Sequence, residues 1–127
     1  MPSSKKPNCS MRRERLYLQD ICAAAESIAR FIAGFDEAAF RDSELTGSAV
    51  VQKLAVIGEA ASRVSDGLRL RHPEIPWAEI VAFRNILVHA YFGIDWGVVW
   101  LAASVEVPAL RAQVAAAFDG ELGLAGG

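Results

Sequence analysis

The chain has few of the residues that build disulfide frameworks or metal sites. Its 127 residues include only two cysteines, Cys9 and Cys22, and two histidines. Two cysteines are too few for a disulfide framework, and these two lack the spacing of metal ligands. Reduced thiols are typical of proteins in the cytoplasm. The sequence therefore predicts a cytoplasmic protein without a metal site or a bound cofactor.

An excess of positive charge and a long apolar run are also absent. The net charge is −2 at pH 7, so no overall field attracts nucleic acid. Binding of RNA would require a local positive patch, for which Arg63, Arg69 and Arg71 are the candidates. The most apolar run, residues 98–105, is too short to cross a bilayer, and the positively charged N-terminus lacks the hydrophobic core of a signal peptide. We therefore expect no membrane partner.

The two-residue alternation of a β-strand is missing, and helical periodicity takes its place. Apolar residues recur at intervals of three and four in four stretches, at about residues 11–33, 48–66, 77–91 and 96–118. Pro108 falls inside the last stretch, where a proline removes one backbone hydrogen bond and kinks a helix. The predicted fold is all-α, an up-and-down bundle of four helices with a kinked last helix.

Individual residues mark where these helices are expected to begin, end and touch. Gly34 is expected to end the first helix, and Thr46 or Ser48 to cap the second. Asp95 is expected to cap the fourth. Gly58 lies inside the second helix, where glycine costs about 1 kcal/mol relative to alanine. Close approach of a neighbouring helix at Gly58 would explain why this cost is tolerated.

The helical pattern also sets the expected domain limits. Residues 1–10 are predicted to be a disordered lead, residues 11–119 the helical domain, and residues 120–127 a flexible tail. A second methionine, Met11, stands where the helical pattern begins, so the sequence offers two candidate translation starts. A single helical domain is therefore expected to carry the function.

The residues best suited to chemistry lie together at the end of the third helix. Arg84, Asn85, His89 and Tyr91 fall within eight positions. At about 100° per residue, Arg84 and Tyr91 lie on nearly one line, while Asn85 and His89 form an i, i+4 pair on the next stripe. The long side chain of arginine can reach across this gap. One patch can therefore present a guanidinium, an imidazole and a hydroxyl group together.

Each of these residues also has an ordinary structural interpretation. Alone, Arg84 is typical of a solvated surface arginine, Tyr91 of an amphipathic edge residue, and His89 of a histidine favoured at a helix end. Asn85 either orients His89 from one turn back or faces water. Glu59, in the second helix, either forms a hydrogen bond with Arg84 or His89 or stays solvated. The group, rather than any single residue, indicates a function.

The chemistry that suits this group is cleavage of RNA by its own 2′-hydroxyl. An imidazole with a pKa near neutrality can accept the 2′-proton or donate a proton to the leaving 5′-oxygen. A guanidinium stays charged and can hold two phosphate oxygens as negative charge accumulates on them. Because the nucleophile belongs to the substrate, this route requires no metal. One chain supplies a single such histidine, whereas a two-fold dimer would supply both a base and an acid.

Four segments of the sequence resemble one protein family. They are Val56-Ile57-Gly58-Glu59-Ala60-Ala61, His72-Pro73-Glu74-Ile75-Pro76-Trp77, the octet from Arg84 to Tyr91, and Tyr91-Phe92-Gly93-Ile94-Asp95. In order and spacing they are similar to segments of the HepT-like proteins of the HEPN superfamily. The resemblance covers roughly residues 12–118. It departs at Gln52-Lys53, where many relatives carry Arg-Asn.

The resemblance implies a function and a site. HepT-like proteins are small helical ribonuclease toxins, encoded with a minimal nucleotidyltransferase (MNT) as the antitoxin. By this resemblance Arg84 and His89 would be catalytic in a cleft between the two protomers of a homodimer. From their positions, Asn85 and Glu59 are the candidates for supporting residues. The antitoxin would adenylylate Tyr91 and so block the RNA site. The competing interpretation is a non-catalytic helical module that uses the same cleft to bind a nucleotide or a protein partner.

Overall fold

The fold is helical throughout the part of the chain that the structure describes. The computed structural model describes residues 5–89 and 93–126, and within them the side chains of residues 12–87 and 93–123. All regular secondary structure in these ranges is helical, and no β-strand occurs there. The predicted all-α fold is therefore confirmed.

Seven α-helices and one π-helical segment follow one another along this part of the chain. They are α1 (Lys5–Ile32), α2 (Glu37–Asp42), α3 (Glu44–Arg63), α4 (Asp66–Arg71), α5 (Trp77–His89), α6 (Trp96–Leu101), the π-helical segment (Ala102–Glu106) and α7 (Val107–Gly126). The last three run on without a break, so the bundle consists of α1, α3, α5 and the joined helix α6–α7. Helix α1 packs against α3 and α7, and α3 also packs against α5.

The apolar stripes of the long helices form one core. It contains Leu18, Ile21 and Ile28 from α1, Val50, Leu54 and Ile57 from α3, Leu87 from α5, and Val99, Leu110 and Val114 from the joined helix. Burial of each such aliphatic side chain contributes about 1.5–3 kcal/mol. The three- and four-residue spacing seen in the sequence places these side chains on the inner faces. Packing therefore stabilises the helices more than their local propensity does.

Short polar residues fix where the helices begin and end. The Oγ of Ser43 accepts a hydrogen bond from the backbone N–H of Thr46 at 3.2 Å and caps α3, so the predicted cap at Thr46 or Ser48 was wrong. Periodicity alone could not locate this cap, because it depends on one side-chain bond. The Oδ1 of Asp95 accepts from the backbone N–H two residues later at 3.0 Å and caps α6, as predicted. Gly34 follows α1 with a φ of +82°, a left-handed conformation that favours glycine.

Both terminal helices are longer than the periodicity predicts. Helix α1 begins at Lys5 instead of residue 11, and α7 continues to Gly126 instead of ending at residue 119. Pro7 stands in the first turn of α1, where a proline is tolerated because its missing N–H would have no partner. Helix α4 occupies part of the connection between the second and third predicted helices. The described parts of the predicted lead and tail are therefore helical.

A buried carboxylate anchors the end of α7. Glu121 is 4% exposed and accepts two hydrogen bonds from Arg71, at 2.8 and 3.0 Å. The bond from Arg71 is the main reason why the pKa of Glu121 is lowered from its ordinary value of 4.5. Nε2 of His72 lies 2.7 Å from the same carboxylate, and the carbonyl of His72 accepts from Nε1 of Trp77 at 3.1 Å. These contacts join the end of α7 to the start of α5 and outweigh the weak helix propensity of the glycines in α7.

Pro108 accounts for the irregularity predicted in the last helix. Without an N–H group, it cannot donate a hydrogen bond to the carbonyl four residues earlier. The π-helical segment ends two residues before it, and the N–H of Val107, the residue between them, donates to the carbonyl of Ala102, five residues back. The helix continues through Pro108 without ending. The predicted kink therefore takes the form of one wider turn.

The joined helix from Trp96 to Gly123 is long and apolar enough, by length and composition, to cross a membrane. Its most apolar run, residues 98–105, is by itself too short to cross a bilayer. Core helices of soluble proteins meet the same two criteria, and here Val107, Leu110 and Val114 are buried within the bundle. The absence of a membrane partner stays a prediction.

Candidate functional site

Helices α3 and α5 approach each other closely at Gly58 and Arg84. A Cβ atom placed on Gly58 would overlap the Cβ and Cγ atoms of Arg84 and would lie 3.4 Å from its Cα atom. The prediction that Gly58 permits a close helix contact is therefore confirmed. Because α3 has no side chain at this point, the stem of Arg84 lies directly on α3. The contact fixes the direction in which the guanidinium points.

A carboxylate on α3 holds the guanidinium of Arg84. The Nη1 atom of Arg84 donates a hydrogen bond to Oε1 of Glu59 at 3.0 Å. The Oε2 atom of Glu59 accepts a hydrogen bond from Nε of Arg63 at 3.0 Å and forms an ion pair with its Nη2 at 2.9 Å. Of the alternatives predicted for Glu59, the hydrogen bond with Arg84 is therefore formed. One carboxylate joins two guanidiniums, so that the group carries a single net positive charge.

The guanidinium of Arg84 is partly buried and keeps free donors. Its side chain is 26% exposed, and its Nε atom is buried without a hydrogen-bond partner among the described atoms. A guanidinium has five N–H donors, and the contact with Glu59 uses one of them. Among the described residues, Glu59 therefore orients the group and leaves Nη donors for a phosphate. Partial burial strengthens such a contact, because less water screens the charges.

Part of the predicted site lies within the described residues. Asn85 is exposed on α5, and His89 is the last residue of that helix. The side chain of His89 and the whole of Tyr91 lie outside the described residues. Of the predicted site residues, the structure therefore brings together Arg84 and Glu59. The role of Asn85 in orienting His89 stays a prediction.

One of the three arginines considered as a source of positive potential lies at the site. Arg63 is linked to Arg84 through Glu59. Arg69 and Arg71 are engaged elsewhere, by a backbone carbonyl of α3 and by the carboxylate of α7. The i, i+4 spacing of Glu59 and Arg63 is a sequence signal for an ion pair on a helix. Together with the hydrogen bond to Arg84 that was one alternative for Glu59, this spacing makes Arg63 a candidate for the site, and the packing of α3 on α5 places it there.

A concavity beside α5 has the wrong charge for a phosphate. It has a volume of about 450 Å³, and its lining includes the apolar side chains of Leu54 and Phe83. Three carboxylates that line it, those of Glu74, Glu79 and Glu106, are exposed, and among the described residues no lysine or arginine lines it. Carboxylates there would repel the phosphates of RNA. The face that carries Arg84 is therefore the better candidate for an RNA site.

Large apolar side chains are exposed on α5 and on the joined last helix. Ile86 on α5 is 61% exposed, and Val98, Leu101 and Val105 on the joined helix are 46–58% exposed. Their spacing of three and four residues places the latter three in one apolar stripe. Exposed apolar patches commonly mark surfaces for protein contact. The apolar stripe is therefore a candidate for a contact between subunits.

Comparison with known proteins decides the family. Residues 21–117 match the family described as Ribonuclease HepT-like. The chain belongs to the HepT-like ribonuclease family. The matched range extends from α1 to α7 and includes Glu59, Arg63, Arg84 and His89. The predicted resemblance is thereby confirmed for the family, and the helical fold agrees with it.

Relatives of this HepT-like chain carry ribonuclease names. "Probable ribonuclease HepT" of Thermococcus cleftensis is 36% identical over 102 residues, which are 80% of this chain and 93% of the relative. "Putative RNase MJ1380" of Methanocaldococcus jannaschii is 34% identical over 105 residues, which are 83% of this chain and 96% of the relative. No solved structure matches the chain. The family assignment therefore rests on sequence similarity over most of its length.

Proposed function

We propose that this HepT-like chain is the toxin of a toxin–antitoxin pair and acts in the cytoplasm as a homodimeric, metal-independent endoribonuclease. One observation carries the proposal. The guanidinium of Arg84 is held 3.0 Å from Glu59, five residues before His89, in a chain of a ribonuclease family. The ribonuclease names of the relatives support the reaction class.

The proposed reaction is transesterification of the RNA backbone. The 2′-oxygen attacks the phosphorus atom and the bond to the 5′-oxygen breaks, which leaves a 2′,3′-cyclic phosphate and a free 5′-hydroxyl. The 2′-proton passes to a base, and an acid returns a proton to the 5′-oxygen. Arg84 stabilises the negative charge that builds up on the non-bridging oxygens. Metal independence follows in the proposal from this chemistry, since nucleophile and leaving group both belong to the RNA.

Proton transfer is assigned to the imidazole of His89, and two copies of the chain supply two such imidazoles. The other histidine, His72, lies 2.7 Å from the buried carboxylate of Glu121 and is 16% exposed, so it has a structural role. A single protomer then offers one imidazole for a reaction that uses a base and an acid. A two-fold axis would bring the two His89 side chains to one cleft. The apolar stripe supports such a contact, because its burial would contribute about 25 cal/mol per Å².

A substrate-side experiment tests the proposed reaction. The purified protein in EDTA is expected to cleave a single-stranded RNA and to leave a 2′,3′-cyclic phosphate, identified by mass spectrometry of the fragments. A single 2′-deoxy nucleotide at the cleaved position should abolish cleavage there, because it removes the nucleophile. Cleavage at the other positions of the same strand serves as the internal control.

Two other outcomes would point away from the proposal. Cleavage that stops in EDTA and returns with Mg²⁺ would contradict metal independence. Binding of the RNA without cleavage, under all conditions of metal and pH, would favour a non-catalytic helical module. The concavity beside α5, which is lined by exposed carboxylates, gives that module no advantage in binding RNA, because its charge repels phosphate.

We also infer that a minimal nucleotidyltransferase is the antitoxin and that it adenylylates Tyr91. Attachment of AMP would place bulk and negative charge two residues from His89, where an RNA phosphate has to bind. Co-expression with such an enzyme should raise the intact mass of the chain by one or more AMP units, and Tyr91→Phe should abolish the increase. Tyr17 is the other tyrosine of the chain, so Tyr17→Phe is the matched control. Loss of the mass increase with Tyr17→Phe alone would overturn the assignment to Tyr91.

A further inference from the structure

We propose that Arg63 is a second phosphate-binding residue of the site and contacts the RNA phosphate next to the one that Arg84 holds. The inference rests on the proposed ribonuclease function. Arg63 lies outside the arginine–histidine octet and on a different helix, since it is the last residue of α3. Its connection to the site is spatial and runs through the carboxylate of Glu59.

The ion pair with Glu59 fixes the guanidinium of Arg63 without burying it. Nε of Arg63 donates a hydrogen bond to Oε2 of Glu59 at 3.0 Å, and Nη2 forms an ion pair with the same oxygen at 2.9 Å, so this edge of the guanidinium faces Glu59. The side chain is 58% exposed, and its Nη1 edge takes no part in this contact. An oriented guanidinium loses little further freedom when it binds an anion. Arg63 can therefore bind a phosphate that approaches from solvent.

The position of Glu59 explains why two phosphates, rather than one, are expected to bind. Its carboxylate stands between the two guanidiniums and contacts both, so a single phosphate cannot take the place between them. Each arginine can still bind an anion with the donors that face away from Glu59. Successive phosphates of one RNA strand provide two such anions. Arg84 and Arg63 then mark the direction in which the strand leaves the scissile position.

The alternative role for Arg63 is a surface ion pair that only supports α3. The chain contains a matched example of such a pair in α2, where Nε and Nη2 of Arg41 contact Glu37 at 3.0 and 2.9 Å. That pair has the same i, i+4 spacing, and its side chains are 49% and 48% exposed. Arg41→Gln therefore removes the same charge and the same kind of contact as Arg63→Gln, without touching the site. A comparison of the two variants separates phosphate binding from helix support.

The experiment measures binding of a non-cleavable strand as a function of salt. A single-stranded 2′-O-methyl RNA is titrated with the wild-type protein, Arg63→Gln, Arg63→Lys and Arg41→Gln at several salt concentrations. Loss of one phosphate contact should reduce the slope of log K against log salt by about 0.7. We expect this change, with roughly tenfold weaker binding at low salt, for Arg63→Gln and not for Arg41→Gln. Arg63→Lys should restore the slope because it restores the charge.

Kinetics with cleavable RNA provide a second readout. Arg63→Gln should raise KM more than it lowers kcat, because a flanking phosphate contact is made equally in the ground state and in the transition state. If wild-type protein cleaves RNA while Arg63→Gln and Arg41→Gln share its slope, Kd and KM, the inference about Arg63 is wrong and the proposed function stands. If the wild type neither binds nor cleaves RNA, both fail. Equal melting temperatures of the two glutamine variants would show that the comparison is between folded proteins.

Discussion

Replacement of Arg84 with alanine is expected to lower kcat for RNA cleavage by about 10²- to 10³-fold, the usual effect of removing one oriented donor that stabilises developing charge. The guanidinium lies partly buried and is oriented by Glu59 at 3.0 Å, so little of its contribution can be replaced by water. Arg84→Lys should recover only part of the rate, because an ammonium group lacks the planar, two-pronged geometry of a guanidinium. Single-turnover cleavage of a short RNA measures both effects.

Arg111 provides the control for the Arg84 variants. It is also ion-paired with a carboxylate, that of Glu26 at 2.8 Å, and is 50% exposed on the surface between α1 and α7. Arg111→Ala should leave the cleavage rate within about twofold of wild type, because Arg111 does not lie on α3 or α5. Loss of its exposed ion pair should also change the stability of the fold very little. Equal rates for Arg84→Ala and the wild type would remove Arg84 from the catalytic site. A similar loss with Arg111→Ala would instead indicate a general effect of charge.

Replacement of Gly58 with alanine should destabilise the protein and misplace Arg84. The new Cβ atom would overlap Cβ and Cγ of Arg84, which belong to the stem of the side chain and cannot swing away as a flexible end can. Overpacking of this kind costs about 1–3 kcal/mol. The better helix propensity of alanine offsets about 1 kcal/mol. We expect a net loss of up to about 2 kcal/mol in the free energy of unfolding, measured by urea denaturation, together with slower RNA cleavage.

Gly123 offers the matched control for Gly58. It also lies inside a helix, α7, but a Cβ atom at this position would meet no atom within 4 Å. Gly123→Ala should therefore stabilise the protein by up to about 1 kcal/mol and leave the cleavage rate unchanged. If Gly58→Ala were as stable and as active as Gly123→Ala, the helices α3 and α5 could separate at low cost. The close contact would then not be what positions Arg84.

The sequence was sufficient to predict the features that depend on short-range pattern. The spacing of apolar residues at three and four positions predicted α1, α3, α5 and the joined last helix. Asp95 was predicted as a cap because a carboxylate at that position bonds to backbone within its own turn. Gly58 was predicted to be a contact point because glycine inside a helix lowers stability by about 1 kcal/mol relative to alanine, a cost that a close helix contact explains. Each of these inferences uses residues that are close in the chain.

Most features that depend on contacts distant in sequence were missed, although the hydrogen bond between Glu59 and Arg84 was one of the alternatives considered. The continuation of α7 to Gly126 depends on the bonds of Glu121 to Arg71 and His72, which lie 50 and 49 positions earlier. Arg63 and Arg84 meet at the carboxylate of Glu59 because α3 packs on α5. The sequence of neither helix alone determines the register of that packing. Local pattern can predict each helix. Only the packed bundle decides which charged side chains meet.

The π-helical segment has a consequence for the faces of the last helix. At about 100° per residue, seven residues return to nearly the same side of an α-helix, so a regular helix that buries Val99 would turn Glu106 inward. The wider turn takes up one additional residue, and Val107 occupies the inward position while Glu106 remains exposed. The rotational phase of the helix is thereby reset before α7. The joined last helix can then pack Trp96 and Trp100 against Phe40 of α2, while the inner face of α7 still packs against α1.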